Sequence, residues 1–279
     1  MIFYYSGTGN TQWAAGLLAK RLGERLLFIP DELKGDMHYT LASGEMVGFC
    51  FPVHGWQPPH IVRKFIGSMQ LHTADGLPLD SHYTYTLVTC GDSVGRTTSI
   101  LRKLLAGKGL DLRGHYDIVM PESYVCLPFM YTDTPQRERQ KKEQAAKDME
   151  HIIGSIRQQA VCPEPRHPGA LPGIYSYVIG AYFNKFMITD KPFRVDEDRC
   201  IGCGRCAGAC STGNISMEKG HTPQFMHSGA CTCCLSCYHH CPVHAINYGR
   251  ITRKRGQYYF GRSGEPDSGS TPAAPEKKN

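Results

Sequence analysis

No stretch of this 279-residue sequence approaches the roughly 20 apolar residues that a bilayer-spanning helix needs. The best candidate, Ala170 to Phe183, is interrupted by Pro172, Gly173 and Gly180, so no transmembrane segment is expected. No basic region precedes the first apolar run, Met1-Ile2-Phe3-Tyr4-Tyr5, so no secretory leader is expected either. Together with thirteen cysteines, this points to a reducing interior and a cytoplasmic location. The basic residues behind the net charge of +6 are scattered rather than gathered into a patch. That argues against nucleic acid as a partner and leaves Arg250, Arg253, Lys254 and Arg255 as a solvated face. A cationic chain suits an acidic protein partner. No residue stands out as a dedicated acid, base or nucleophile, so the sequence leaves open whether the chain is an enzyme. Cys50, Cys90, Cys126 and Cys162 are isolated thiols, expected to be ordinary buried residues.

The other cysteines are patterned. Cys200, Cys203, Cys206 and Cys210 follow C-x-x-C-x-x-C-x-x-x-C, and Cys231, Cys234, Cys237 and Cys241 repeat it. Two such runs suit two 4Fe-4S clusters, and the spacing is that of bacterial ferredoxins, in which each fourth cysteine crosses to the other cluster. On that pattern Cys200, Cys203, Cys206 and Cys241 hold one cluster. Cys231, Cys234, Cys237 and Cys210 hold the second. The competing reading is zinc, which favours two separated pairs of ligands. A disulfide framework fits less well without a secretory segment. Cys233 lies inside the second run and is read as a spectator. The runs form a 31-residue repeat in which Ile215 matches Ile246, implying two similar halves around one small core. Residues Ile215 to Glu218 and Pro223 to Met226 flank Gly220 as a short hairpin. Pro242 follows the second run but Ser211 follows the first, which predicts a locally different turn.

A second motif opens the chain. The strand Ile2 to Tyr5 runs into Ser6-Gly7-Thr8-Gly9-Asn10-Thr11, followed by a helix with Trp13, Ala14, Leu17, Leu18 and Leu22 on one face. Backbone N–H groups at a helix N-terminus, supplemented by hydroxyls, make an anion site. The loop has no lysine and lacks the G-x-G-x-x-G pattern, so it matches neither the triphosphate nor the dinucleotide loop; a phosphate monoester fits better. Further strands are expected at Met46 to Phe51, Tyr83 to Thr89 and Tyr116 to Met120. Helices are expected near Pro59 to Ser68, Thr97 to Lys108 and Pro135 to Gln158. Strands alternating with helices predict an α/β fold, a doubly wound parallel sheet with ligands beyond the carboxyl ends of its strands. Two loops lie there, Pro52-Val53-His54-Gly55-Trp56-Gln57-Pro58 and Thr89-Cys90-Gly91-Asp92-Ser93.

Ser6 to Thr11 looks like the phosphate loop of flavodoxins, and the two loops fall where flavodoxins sandwich their flavin ring. Over residues 1 to 250 the chain resembles the flavodoxin–ferredoxin fusion family. The resemblance implies a flavodoxin-like domain followed by a small α+β bacterial ferredoxin-like domain. It implies FMN, with Ser6, Gly7, Thr8, Gly9, Asn10 and Thr11 at the phosphate. Pro52, Val53, His54, Gly55 and Trp56, with Thr89, Cys90, Gly91 and Asp92, would surround the isoalloxazine. Electrons would then pass between FMN and the clusters, to and from redox protein partners. The second ring loop offers no aromatic to stack on the flavin, which predicts an uncovered flavin edge that the clusters can approach. Two other readings remain: a ferredoxin with a flavin-free interaction domain, and a flavin-dependent reductase with its own small substrate.

The expected divisions are 1–160 for the flavodoxin-like domain, 161–194 for a linker, 195–250 for the ferredoxin module and 251–279 for a basic segment and disordered tail. Four prolines between Val161 and Gly173 mark a semi-rigid spacer. Tyr175, Tyr177, Val178, Ile179, Tyr182, Phe183, Phe186 and Met187 then form an apolar helix, expected to pack between the domains or to support self-association.

Overall fold

A computed structural model describes residues 1–218 and 220–262. Its main sheet has five parallel strands, ordered β2-β1-β4-β6-β7. These are β1 (Ile2–Tyr4), β2 (Leu26–Phe28), β4 (Val47–Pro52), β6 (Thr84–Cys90) and β7 (Leu112–Val119). Counting sheet members alone, the order is 2-1-3-4-5, the flavodoxin-like winding, with its switch point beside β1. All seven residues of β6 are buried, as a central strand covered on both faces requires. Side chains alternate between two cores. Phe3, Tyr5, Phe49 and Phe51 face α3 (His60–Ser68) and α4 (Thr97–Ala106). Ile2, Cys50, Leu87 and Ile118 face α1 (Asn10–Leu22) and α5 (Pro135–Arg157). The short helix α2 (Ile29–Glu32) closes the first face at Ile29.

The expected strands and helices are present with ends shifted by a few residues. The pattern did not disclose β2, nor a separate parallel pair, β3 (His38–Leu41) with β5 (Gln70–Thr73). Three- and four-residue strands are too short to carry a readable period.

The C-terminal module is built twice. Strands β8 (Phe193–Val195) and β11 (Ile246–Tyr248) pair antiparallel, as do β9 (Ile215–Ser216) and β10 (Gln224–Phe225), the latter pair being the expected hairpin. One-turn helices Arg205–Gly208 and Ser236–His239 occupy equivalent repeat positions. Among the described residues no helix is long and apolar enough to cross a membrane.

The connecting segment is no free spacer. Cys162 pairs with Gly114 alongside β7, with His115 N donating to Cys162 O at 2.6 Å. Buried Asp117 then accepts from the backbone N–H groups of Arg166 and His167 at 2.8 and 3.1 Å. The helical stretch over 172–187 follows, and Gly180 lies against the carbonyl of Gly55, leaving no room for a side chain. Past the second cysteine run the chain returns to the first domain. Phe260 N donates to Thr8 O at 2.8 Å, Tyr258 Oη donates to Asn10 Oδ1 at 2.5 Å, and Phe260 stacks on Trp13 at 5.3 Å. This differs from the expected basic segment: Arg253 and Lys254 are exposed, but Tyr258 is buried. The tail from Ser263 lies outside the described residues.

His239 ties these parts together. It is 1% exposed. Its Nε2–H donates to Ser123 O at 2.7 Å and its Nδ1 accepts from Tyr258 N at 3.0 Å, which fixes the neutral tautomer. Burial pushes its pKa down to about 3. The unfolded chain therefore takes up a proton below about 6.5 that the folded chain refuses. The stabilisation from neutral His239 is complete above that value and is lost as pH falls toward 3. Anaerobic urea unfolding should show His239 costing about 1.4 kcal/mol between pH 7.5 and 5.5. His239→Gln, which keeps a donor and an acceptor, should remove that share of the pH slope; an unchanged slope would contradict the neutral-histidine assignment.

Candidate functional site

At the end of β1 the chain turns through Ser6 to Gly9 and enters α1 at Asn10. Gly9 adopts φ 93°, a left-handed conformation that glycine tolerates best. Gly9 N donates to Ser6 Oγ at 3.2 Å. Ser6, Thr8, Asn10 and Thr11 are all buried. Thr11 and Thr89 share a hydroxyl hydrogen bond of 2.8 Å, which holds the loop to the second ring loop. The Asn10 side chain donates one N–H to Pro121 O at 3.1 Å and accepts from Tyr258, so its orientation is fixed from both ends of the amide. The exposed side of the loop is closely covered. A side chain at Gly7 would meet Cys234 Cβ at 2.7 Å, and one at Gly9 would meet Phe260 Cβ at 2.9 Å.

The first ring loop closes by reciprocal backbone hydrogen bonds between His54 and Gln57, 3.0 and 3.2 Å long, with Gly55 and Trp56 both at φ 54°. Trp56 stacks on Tyr175 at 5.1 Å and donates through Nε1 to Ser93 Oγ at 3.0 Å. Its indole thus joins the two ring loops to the connecting helix. Val53 lies beside the first core, and Pro52 ends β4. In the second ring loop Cys90 is buried and Asp92 is exposed. Gly91 has the Glu122 carboxylate directly against it, leaving no room for a side chain. Glu122 accepts from Ser123 N and Tyr124 N, while burial, the largest influence, raises its pKa.

These loops surround a cavity of about 440 Å³, a volume in the range of small-ligand sites. Ser6, Gly7, Thr8, Asn10 and Thr11 line one end, and Pro52 to Trp56 and Thr89 to Asp92 the sides. Gly9 is not among the lining residues. The remaining wall corrects the expectation of an uncovered edge. It comes from Tyr124, Leu127 and Met130 of the loop after β7, and from Ile179, Tyr182, Phe183 and Met187 of the connecting helix. That helix is tied down by four hydrogen bonds. Ser176 Oγ donates to Trp56 O and accepts from Arg96 N, both at 2.7 Å; Gln57 Nε2 donates to Ser176 O at 2.6 Å; and Asn184 Nδ2 donates to His54 O at 3.1 Å. Sequence reasoning missed this face because its signal is faint: Ser176, Gly180 and Asn184 are small or polar residues every fourth position in an otherwise apolar helix. Its other face leaves Tyr177, Val178, Tyr182 and Phe186 exposed.

The cavity also tests its fit to a ligand. His54 Nδ1 is buried without a hydrogen-bond partner, and burial pushes the imidazole pKa down to about 4, with His60 and Arg63 adding to the effect. A partly apolar cavity with a helix N-terminus rich in hydroxyls at one end fits a flat heterocycle bearing a phosphate. Of the four isolated thiols only Cys90 borders the cavity. Cys50, Cys90 and Cys126 are buried, and burial pushes Cys50 up to about 12. Cys162 is half-buried beside β7.

In the second module Cys210, Cys231, Cys234 and Cys237 border one small cavity, together with Cys233. Besides burial, the thiol of Cys237 is raised by Cys234, Cys231 and Cys210, and that of Cys206 by Cys241 and Cys203. Cys237 thus has Cys210, Cys231 and Cys234 as neighbours, and Cys206 has Cys203 and Cys241. Backbone N–H groups point at sulfur at equivalent repeat positions: Asn214 N lies 3.3 Å from Cys210 Sγ, and Ala245 N lies 3.1 Å from Cys241 Sγ. Among the described residues no three His, Cys, Asp or Glu side chains converge as a single-ion site requires, whereas a cubane needs ligands spread around a larger centre. Cys203 is exposed and Ile201 near it is 62% exposed, so the first set reaches the surface there although Cys206 and Cys241 are buried. The second set faces the first domain at Cys234. Cys233 and Cys234 line the small cavity and the 440 Å³ cavity alike.

Residues 193–242 match the family of 4Fe-4S dicluster domains. A 78-residue segment is 31% identical to a ferredoxin from Pyrobaculum islandicum, covering 26% of this chain and 72% of that protein. A 68-residue segment, 23% of this chain, is 38% identical to the NAD-dependent dihydropyrimidine dehydrogenase subunit PreA of Escherichia coli, of whose length it spans only 16%. A protein described as a candidate flavoprotein from Bacteroides uniformis superposes with a TM-score of 0.33 at 16% identity, over 43% of this chain and 88% of that one, and adds nothing to the sheet topology. Through its cysteine-rich module the chain belongs to the ferredoxin family, and with a flavodoxin-like sheet ahead of that module it is a flavodoxin–ferredoxin fusion.

Proposed function

We propose that the chain passes electrons between FMN in the 440 Å³ cavity and two 4Fe-4S clusters. Cys231, Cys234, Cys237 and Cys210 hold the inner cluster, and Cys200, Cys203, Cys206 and Cys241 hold the outer one. The carrying observation is that Cys233 and Cys234 border both the 440 Å³ cavity and the small cavity among the inner thiols. Bound FMN exchanges electrons singly or in pairs, and cubane clusters exchange one at a time.

The chain's own residues supply the positioning. Ser6, Thr8 and Thr11 hydroxyls and the first N–H groups of α1 hold the phosphate. Neutral His54 forms part of the cavity wall. The loop 121–130 and the connecting helix shield the ring from water, and Ser176 and Asn184 keep that helix closed. Exposed Cys203 and Ile201 mark where a redox partner approaches the outer thiols. A preformed cavity with the hydroxyl-rich loop at one end favours this reading over a flavin-free interaction domain.

Anaerobically purified protein should contain about eight irons and eight sulfides per chain, with FMN released on denaturation; stoichiometric zinc without sulfide would overturn the cluster assignment. FMN should bind more tightly than riboflavin. Thr8→Ala should weaken FMN by about ten- to a hundredfold through loss of a charge-assisted hydrogen bond of roughly 1.5–3 kcal/mol, and equal titration curves for the two flavins would remove the phosphate site. Reduced clusters should pass electrons to bound FMN in a concentration-independent step. Gly7→Ala, which overpacks the contact with Cys234 at a cost of about 1–3 kcal/mol, should slow that step in stopped-flow while leaving iron content intact. Unchanged transfer in that variant would place the electron path elsewhere.

A further inference from the structure

Tyr5 is the last residue before the phosphate loop and has no exposed surface. A phenol in a core must find a partner for its hydroxyl. Phe3, two residues earlier on the same face, fills its place with no polar atom. The partner of Tyr5 comes from the other domain: its Oη lies 2.6 Å from Thr232 Oγ1, and Thr232 is itself 2% exposed. Both hydroxyls sit beside the sulfur of Cys234. On its other side the Tyr5 ring meets the His54 ring edge-on at 6.1 Å, and His54 lines the large cavity.

The cysteine repeat supplies an internal comparison. Thirty-one residues earlier, Cys234 becomes Cys203 and Thr232 becomes Ile201, which has no hydroxyl and is 62% exposed. One half of the duplicated module therefore has a buried hydroxyl pair at its second cysteine, half of it contributed by the first domain; the other half has an apolar side chain facing water. A ligating thiolate has only lone pairs to offer, and each hydroxyl has one proton to give. Cys234 packs against the core that holds Tyr5, and if either hydroxyl of the pair turns its proton to that sulfur the other can donate to it in turn and polarise the bond. Hydrogen bonds to ligand sulfur favour the more negative, reduced form and raise the reduction potential.

We infer that Tyr5, acting with Thr232 on the Cys234 sulfur, sets the potential of the inner cluster above the value that the module alone would give it. Tyr5 is thus a positioning residue through which the flavodoxin-like domain tunes the cluster nearest its cavity. This rests on the cluster assignment proposed above.

The test is a potentiometric titration of the anaerobic full-length protein followed by electron paramagnetic resonance, for wild type, Tyr5→Phe and Thr232→Val. Cys234→Ser identifies which signal belongs to the inner cluster. Each hydroxyl-deleting variant should disfavour reduction of the inner cluster about tenfold, a downward shift of about 59 mV for one electron. The outer cluster's midpoint, iron content and FMN content should stay unchanged. Should Tyr5→Phe fail to fold, Thr232→Val alone decides, because it leaves the first domain's core intact. With both clusters fully loaded, unchanged potentials overturn the inference, as do equal shifts of both clusters. Wild-type protein without iron and sulfide would instead overturn the cluster assignment itself.

Discussion

Gly7 lies so close to Cys234 that even a methyl group would collide, at 2.7 Å from its Cβ. Much of the structure is arranged around this approach. It requires the phosphate loop to lie at the domain boundary rather than facing open solvent. It also requires the second cysteine run, not the first, to face the flavodoxin-like domain. Three further contacts keep the boundary shut: Phe260 on Gly9, the Tyr5–Thr232 hydrogen bond, and His239 between Ser123 and Tyr258. None of these is individually strong, since a net hydrogen bond contributes about 0.5–1.5 kcal/mol. They act together because each is buried, and a buried polar group that loses its partner costs more than the bond contributed.

The connecting segment has a comparable role on the opposite side of the cavity. A parallel sheet leaves its carboxyl end open, which is why ligands collect there. In this chain the end is roofed by the helix over 172–187, seated where Gly180 permits contact with Gly55 and held by Ser176 and Asn184. Trp56 turns toward Tyr175 rather than into a solvent-facing stack, so the aromatic that the second ring loop lacks is replaced by Phe183, Tyr182 and Tyr124 from outside both loops.

The duplicated module is symmetric in backbone and asymmetric in setting. Equivalent one-turn helices and equivalent N–H contacts to Cys210 and Cys241 follow from the repeat. Yet one set of thiols is roofed by a neighbouring domain and the other meets solvent at Ile201 and Cys203. The module's core even takes in Val125 and Cys126 from the first domain, so that core is not closed within the cysteine repeat alone. A symmetric pair of thiol sets placed asymmetrically gives the two sets different environments.

The sequence by itself determined the features that depend on local spacing. The cysteine runs, the hydroxyl-rich loop between β1 and α1, and the alternation of buried strands with amphipathic helices are short-range patterns, readable because ligand geometry and helix period act over a few residues. What only the tertiary structure decided is how distant segments meet. Nothing local to Tyr5 signals Thr232, 227 positions away, and nothing local to Asn10 signals Tyr258. The roofing helix, the return of residues 258–260 to the phosphate loop and the choice of the inner cysteine run come from burial and shape complementarity between surfaces far apart in the chain. Such contacts leave only single residues in the sequence, a glycine where a side chain will not fit or a hydroxyl in an apolar run, and these have no meaning until the fold supplies their neighbours.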